Sequence, residues 1–177
     1  MNKKQQFIKS QIWSLSVAAA FQRGNVYKKD SAPTDKKKSK FKSELKKIID
    51  SQIERLDAVG SDEYIERLEK LQKQINAMIK EKGFSSGVQH FRFGTLQKLV
   101  NLYLKYQWCL GWQPEPHHCP FDGVVLEKLN VSGKWTKSDS AVEYRDWVDE
   151  AQEKSKEGSI AQWELKVWNE WLEGESG

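Results

Sequence analysis

The sequence has few of the residues that cross-link small domains or hold metal ions. It contains two cysteines in 177 residues and no C-x-x-C pair, which excludes a dense disulfide framework and argues against a structural zinc site. Cys119 follows His117 and His118, but side chains at adjacent positions rarely converge on one ion. We therefore expect no metal ion, no other cofactor and a reduced, cytoplasmic location.

Long apolar runs and familiar enzyme motifs are also absent. No stretch approaches the roughly 18 apolar residues that span a bilayer, so the sequence predicts neither a membrane span nor a membrane partner. The start of the chain loosely resembles a signal peptide, but Gln11, Ser14 and Ser16 interrupt its apolar run. We interpret it as an amphipathic helix. The GxSxG, HExxH, P-loop and Rossmann patterns are missing, which disfavours protease, kinase and dehydrogenase functions.

Helical periodicity is what the sequence does contain. It predicts an all-α fold, a compact bundle of about seven helices around a buried central helix, in a single domain covering residues 1–177. The helix after Gly94 is apolar nearly all round and needs neighbours on every side. The predicted helices cover residues 5–21, 40–59, 61–82, 94–110, 124–129, 138–154 and the region from 158 onward. Ser138 or Asp139 is expected to cap the sixth helix.

Two segments between these helices lack a helical pattern. Residues 24–40 carry six lysines, a glycine and a proline, and we predict a mobile Lys-rich loop there. Residues 83–94 contain three glycines and three phenylalanines and are predicted to form a structured loop.

Charge is divided unevenly along the chain. Residues 1–110 hold 22 Lys/Arg and 11 Asp/Glu, whereas residues 111–177 hold 7 and 14. A basic part of this kind favours a polyanionic partner, such as a nucleic acid. The side chains predicted to contact the DNA backbone are Lys36, Lys37, Lys38, Arg92 and Lys105. The alternative is that the lysines only solvate long helices.

The few polar residues of the central helix are candidates for chemistry. Lys98, Asn101 and Lys105 fall at positions i, i+3 and i+7 and form one stripe. Asp122 stands at the start of the next apolar helix, where an aspartate is a preferred N-cap, and a fixed carboxylate there could also stabilise a developing cation. Lys98 is either a nucleophile among leucines or a solvent-reaching side chain.

A base-binding pocket is the second prediction from this region. Flat side chains and hydrogen-bonding groups suit a base extruded from the stack. The side chains predicted to line such a pocket are Gln97, Asn101, Trp108, Phe121 and His118.

Residues 94–129, about a fifth of the chain, resemble the catalytic segment of helix-hairpin-helix DNA glycosylases. The matching pieces are Gly94, Lys98 on the following helix, and Pro120-Phe121-Asp122 before the run Val124 to Leu126. The resemblance implies that Asp122 stabilises the sugar cation as the base leaves, and that Lys98 is a possible Schiff-base nucleophile. It further implies a monomeric enzyme that excises a modified base, as in bacterial defence against phages with modified DNA.

Two other functions remain open on the same residues. One is a helical nucleic-acid-binding module without catalysis, in which the basic part of the chain does the binding. The other is a protein-interaction or inhibitor protein that acts through its acidic, Trp-rich end, residues 157–177.

Overall fold

The computed structural model describes residues 2–56, 59–156 and 158–175. Within those ranges the chain forms seven α-helices and one short 3-10 turn, and its β pairing is a single isolated bridge between Tyr27 and Val88. The helices are α1 (Lys3–Gly24), α2 (Asp35–Leu56), α3 (Ser61–Glu81), α4 (Phe93–Cys109), α5 (Gly123–Leu129), α6 (Ala141–Lys154) and α7 (Ile160–Glu175). The predicted all-α class and helix number are confirmed.

Helix α4 is the centre of the bundle, as its all-round apolar pattern predicts. α1 runs antiparallel along it, because Gly24 at the end of α1 lies against Thr95 at the start of α4, while the rings of Trp13 and Tyr103 meet at 5.3 Å. The other helices cover its remaining sides through the buried core. Its polar residues are therefore forced to find partners inside the protein.

The predicted loop at 24–40 is corrected at its C-terminal end. α2 begins at Asp35, so Lys36, Lys37 and Lys38 lie on its first turns. Thr34 explains this earlier start, since its Oγ1 accepts a hydrogen bond from the Lys37 N–H and its carbonyl accepts one from Lys38. The shorter loop that remains is tied to residues 86–89 by backbone and side-chain hydrogen bonds.

The predicted cap of α6 is also corrected. Ser140 is the N-cap, and its hydroxyl accepts from the N–H groups of Val142 and Glu143. Asp139 instead accepts a hydrogen bond from the Phe93 N–H at 3.0 Å and thereby holds the start of α4. In the part of the chain that the structure describes, each helix is too short or too polar to cross a membrane.

A lysine–aspartate pair and a basic groove as candidate sites

Asp122 and Lys98 are brought together, although 24 positions separate them in the sequence. The Lys98 Nζ lies 3.2 Å from the Asp122 Oδ2, and each side chain is 12% exposed. The Asp122 Oδ1 accepts hydrogen bonds from the Val124 and Val125 N–H groups at 3.1 and 3.3 Å. The carboxylate therefore caps α5 with one oxygen, as predicted, and pairs with a lysine through the other.

The loop between α5 and α6 holds Lys98 from the other side. The Lys98 Nζ lies 4.5 Å from the centre of the Trp135 ring, which is cation–π distance. This contact depends on Gly94, because a Cβ there would stand 1.8 Å from the Trp135 carbonyl oxygen. The absence of a side chain at Gly94 thus lets the loop approach α4 closely enough for Trp135 to contact Lys98.

The pair is mostly buried but has one exposed neighbour. Gly123, the residue after Asp122, is exposed, and a Cβ on it would meet no atom within 4 Å. Open space therefore lies beside the Gly123 backbone, one residue from Asp122, which as a whole residue is 8% exposed. The linings of five surface clefts of about 440–540 Å³ in the described ranges do not include Asp122 or Lys98.

The predicted base pocket is corrected, because four of its five members lie in the core. Gln97 and Phe121 are fully buried. The Gln97 Nε2 donates to the Phe121 carbonyl at 2.7 Å, and the Phe121 N–H donates back to the Gln97 Oε1 at 3.1 Å. The Gln97 amide therefore holds Phe121, the residue before Asp122, against α4. Its hydrogen-bonding groups are used by the Phe121 backbone.

Asn101 and His118 belong to a buried hydrogen-bonded chain. The Tyr64 hydroxyl donates to the Asn101 Oδ1, and the Asn101 Nδ2 donates to the Cys119 carbonyl at 2.8 Å and to the Tyr144 oxygen at 3.0 Å. Because a carbonyl can only accept, the orientation of the amide is fixed. The network closes the α3, α4 and α6 interface and leaves no polar group of Asn101 for a base.

His118 continues this chain through both of its ring nitrogens. Its Nδ1 lies 2.9 Å from the Tyr144 oxygen, and its Nε2 lies 2.8 Å from the Ser61 Oγ. Burial lowers the pKa of His118 to about 3, with smaller contributions from the charges of His117 and Arg145. Because this imidazole resists protonation, it is a poor base for activating Ser61.

Trp108, the fifth predicted pocket residue, lies elsewhere. It follows Lys98 by ten residues, about 15 Å along an α-helix. It lines a cleft of about 510 Å³ beside α7, together with Leu165 and Glu170. The structure therefore does not bring Trp108 to the Lys98–Asp122 pair.

Two of the five predicted DNA-backbone contacts are corrected as well. Lys105 is 5% exposed, and its Nζ lies 2.7 Å from the Glu164 Oε2 and 2.9 Å from the Oε1. Arg92 is half-buried and donates from its Nη1 to the Thr136 carbonyl at 3.0 Å. Lys105 is therefore a core residue, and Arg92 is engaged in holding the loop that carries Trp135.

Of the remaining predicted contacts, Lys38 lines a groove between α1 and α2, whereas Lys36 and Lys37 are not part of its lining. Lys38 carries an ion pair of 3.1 Å with Asp35, whose side chain is 97% exposed. The groove has a volume of about 450 Å³. Its lining consists of Trp13, Ser14, Asp35, Lys38, Ser39, Lys42 and Ser43. Hydroxyl and ammonium donors of this kind suit phosphate oxygens.

Most lysines around this groove have no acidic partner. Residues 28–47 contain nine lysines and three acids, a net charge of +6. In the described part of the chain, Lys38, Lys46 and Lys47 form ion pairs with carboxylates. Those that form none are Lys28, Lys29, Lys36, Lys37, Lys40 and Lys42. Residues 28–47 therefore carry positive charge that the ion pairs of the described ranges leave uncompensated.

Sequence reasoning missed Glu164, Tyr144 and Trp135. Glu164 had a usable signal, since Ile160, Glu164 and Val167 fall at i, i+4 and i+7, in register with the buried face of α7. Trp135 and Tyr144 gave no such signal, because neither their positions nor their neighbours in the sequence link them to α4.

Comparison with known proteins finds no similar family, curated protein or solved structure. The functional argument therefore rests on the residues of this chain. Among the described residues, no group of three His, Cys, Asp or Glu side chains is arranged to hold a metal ion.

Proposed function

We propose that the protein is a DNA N-glycosylase-like enzyme that uses Asp122 to release a modified base. The observation that carries this proposal is the contact of 3.2 Å between the Lys98 Nζ and the Asp122 Oδ2 next to the exposed residue Gly123. These are the two residues that the resemblance to helix-hairpin-helix glycosylases pairs. A fixed carboxylate at the start of a helix offers a negative charge that needs no reorganisation during reaction.

The proposed reaction needs one negative charge close to C1′ of the sugar. When the bond between C1′ and the base nitrogen breaks, its electron pair leaves with the base and positive charge develops on the sugar. The Asp122 Oδ2 would stabilise that charge while water adds to C1′, and the proton that the water loses passes to the departing base. An enzyme of this kind takes the base out of the stack first, and the open space beside Gly123 supports approach from that side.

Lys98 has a positioning role in this proposal. Its ammonium pairs with Asp122 and faces the Trp135 ring, so its nitrogen has no free electron pair with which to attack C1′. We therefore propose hydrolytic base release without a Schiff base. Borohydride trapping of a covalent enzyme–DNA adduct would contradict this part of the proposal.

The experiment measures base release from oligonucleotides that carry deaminated, oxidised, alkylated or hydroxymethylated bases, with abasic sites revealed by alkaline cleavage. The protein should release at least one of these bases, and Asp122→Asn should abolish release. Asparagine is also a good N-cap, so this variant keeps the start of α5 while removing the charge.

Glu127→Gln is the matched control, because Glu127 is an exposed acid on the same helix. It loses the same charge and should retain full activity. Undiminished release by Asp122→Asn would remove Asp122 from the mechanism. Failure of the wild-type protein on every substrate would refute the enzyme proposal.

A second candidate function is nucleic-acid binding without catalysis. It is favoured by the geometry of Asp122, whose two oxygens already have partners within the protein. It is also favoured by the unpaired lysines of residues 28–47. DNA retention that falls steeply with salt, without release of any base, would select this function.

A further inference from the structure

Helix α1 has apolar side chains on its outer face as well as on its buried face. The buried face packs Ile12, Trp13 and Val17 into the core. On the outer face Phe7 is 62% exposed, and Leu15 is 55% exposed. A helix with two apolar faces is expected in the middle of a protein, so the outer face of α1 suggests a ligand that accepts apolar contact.

The outer face of α1 adjoins the basic groove. Ser14 lines the groove, and Phe7 precedes it by seven residues, which places both on the same side of the helix. Phe7 therefore stands about 10 Å from Ser14 along the helix axis. An exposed aromatic ring thus lies on α1 about two turns before Ser14, beyond the end of the groove that Lys38 and Lys42 line.

The region around the groove carries an excess of positive charge. α1 carries four basic residues and no acid between Lys3 and Gly24. The acids of neighbouring α2 are largely engaged: Glu44 pairs with Lys47 and Lys82, and Asp50 pairs with Lys46. Asp35 pairs with Lys38 but is 97% exposed, and an ion pair that is exposed to solvent exchanges at little cost.

We infer that the groove between α1 and α2 binds a single strand of nucleic acid, with phosphates on Lys38 and Lys42 and a base stacked on Phe7. A basic groove beside an exposed aromatic ring is the combination that single strands require, because every base has a face that can stack. A paired duplex presents phosphates to the lysines but no base face to Phe7. A second copy of the chain is disfavoured, since two α1 helices would bring eight basic residues together without an acid.

This inference shares with the proposed function the assumption that DNA is the ligand, but a different measurement tests it. Binding to the groove requires neither Asp122 nor base release. A protein that binds single strands and releases no base would refute the glycosylase proposal alone. A protein that releases a base without Phe7 or the groove lysines would refute this inference alone.

The experiment is fluorescence anisotropy with a labelled thymidine oligonucleotide of about 20 nucleotides and with its duplex. The wild-type protein should bind the single strand more tightly than the duplex at equal salt. Phe7→Ser should weaken single-strand binding roughly tenfold, since the stacking of one base is lost, and should leave duplex binding unchanged. Val142→Ser on α6 is the control, because Val142 is 70% exposed and lies away from the groove.

A second pair of variants tests the lysines. Lys38→Gln with Lys42→Gln should weaken binding and lower the slope of log K against log salt by roughly 1.4, about 0.7 per phosphate contact. Lys70→Gln with Lys166→Gln removes the same charge from side chains that are 75% and 77% exposed elsewhere. This control should change the slope much less.

Three results would overturn the inference. The first is equal affinity for duplex and single strand together with no effect of Phe7→Ser. The second is an identical loss in the Lys38/Lys42 and Lys70/Lys166 variants, which would indicate net charge alone. The third is binding to vesicles of anionic lipid that depends on Phe7, with no binding to the oligonucleotide, which would assign this face to a membrane surface.

Discussion

Two lysine–carboxylate pairs on α4 have the same chemistry and different surroundings. The Lys105–Glu164 side chains are 7% and 2% exposed, and burial raises the pKa of Glu164 against the opposing effect of Lys105. The Lys98–Asp122 side chains are each 12% exposed and lie beside the open space at Gly123. One pair is sealed between helices, whereas the other has an exposed residue next to it.

The comparison shows which part of a polar stripe is available for function. Lys98, Asn101 and Lys105 share one face of α4, yet Asn101 and Lys105 are consumed by contacts to α3, α6 and α7. Lys98 alone pairs with a residue that borders solvent. We therefore expect the Lys105–Glu164 pair to contribute to stability and the Lys98–Asp122 pair to be the better candidate for a catalytic role.

The largest expected effect comes from breaking the sealed pair. Lys105→Met leaves the Glu164 carboxylate buried without its cation and should lower the free energy of unfolding by about 3–5 kcal/mol. Lys98→Met should cost about 1–2 kcal/mol, because Asp122 keeps its two backbone donors. Urea denaturation of both variants measures the difference.

The same pair predicts a pH dependence with a definite sign. Burial raises the pKa of Glu164, and removal of Lys105 removes a group that lowers it. The carboxyl of the variant therefore takes up a proton more readily, and the cost of Lys105→Met should shrink from about pH 8 to about pH 5. If Lys105→Met lowers the free energy of unfolding no more than Lys98→Met does, the proposed difference between the two pairs is wrong.

The buried network around Asn101 gives a second, intermediate effect. The pKa of His118 is lowered to about 3 in the folded protein, whereas the unfolded chain has its ordinary value near 6.5. The unfolded state therefore binds more protons between these values, and stability should fall as pH drops below about 6.5. The loss from about pH 7.5 to pH 5 should be roughly 2 kcal/mol.

His118→Gln provides the comparison for this slope. The variant has no titrating group at this position, so its urea midpoint should change less over the same pH range. An identical slope in the wild-type protein and in His118→Gln would show that His118 is not held neutral by the fold.

A smaller effect separates the capping and charge roles of Asp122. Asp122→Ala removes the acceptor for the Val124 and Val125 N–H groups and should lower the free energy of unfolding by about 1–2 kcal/mol. Asp122→Asn keeps the cap and should cost less than about 1 kcal/mol. If both variants unfold at the same urea concentration, the carboxylate oxygen does not support the start of α5.

Much of the fold was predictable, because helix periodicity is local. The apolar spacing from Ser61 to Glu81 and the all-round apolar pattern of α4 correspond to the observed helices. The start of α2 was predicted too late in the chain. The lysines after Thr34 resemble a loop sequence, but a helix whose first turn is held by Thr34 can carry them on its exposed side.

The site was less predictable, because polar partners lie far apart in the sequence. Asn101 meets Tyr64 and Tyr144, which are 37 and 43 positions away, and no local pattern announces such contacts. The pocket prediction took polar residues on an apolar helix for ligand contacts, whereas burial made them partners of one another. The Lys98–Asp122 contact was anticipated from the polar stripe of α4 and the acid at the start of α5, and from the resemblance to glycosylases.

The most direct test of the central claim uses Gly123, the exposed residue next to Asp122. Gly123→Leu has room in the protein, since a Cβ there meets no atom within 4 Å, so the free energy of unfolding should change by less than about 1 kcal/mol. The leucine fills the open space next to Asp122 and should therefore block the ligand and abolish base release. Full release by a stable Gly123→Leu protein would contradict the claim that chemistry occurs at Asp122.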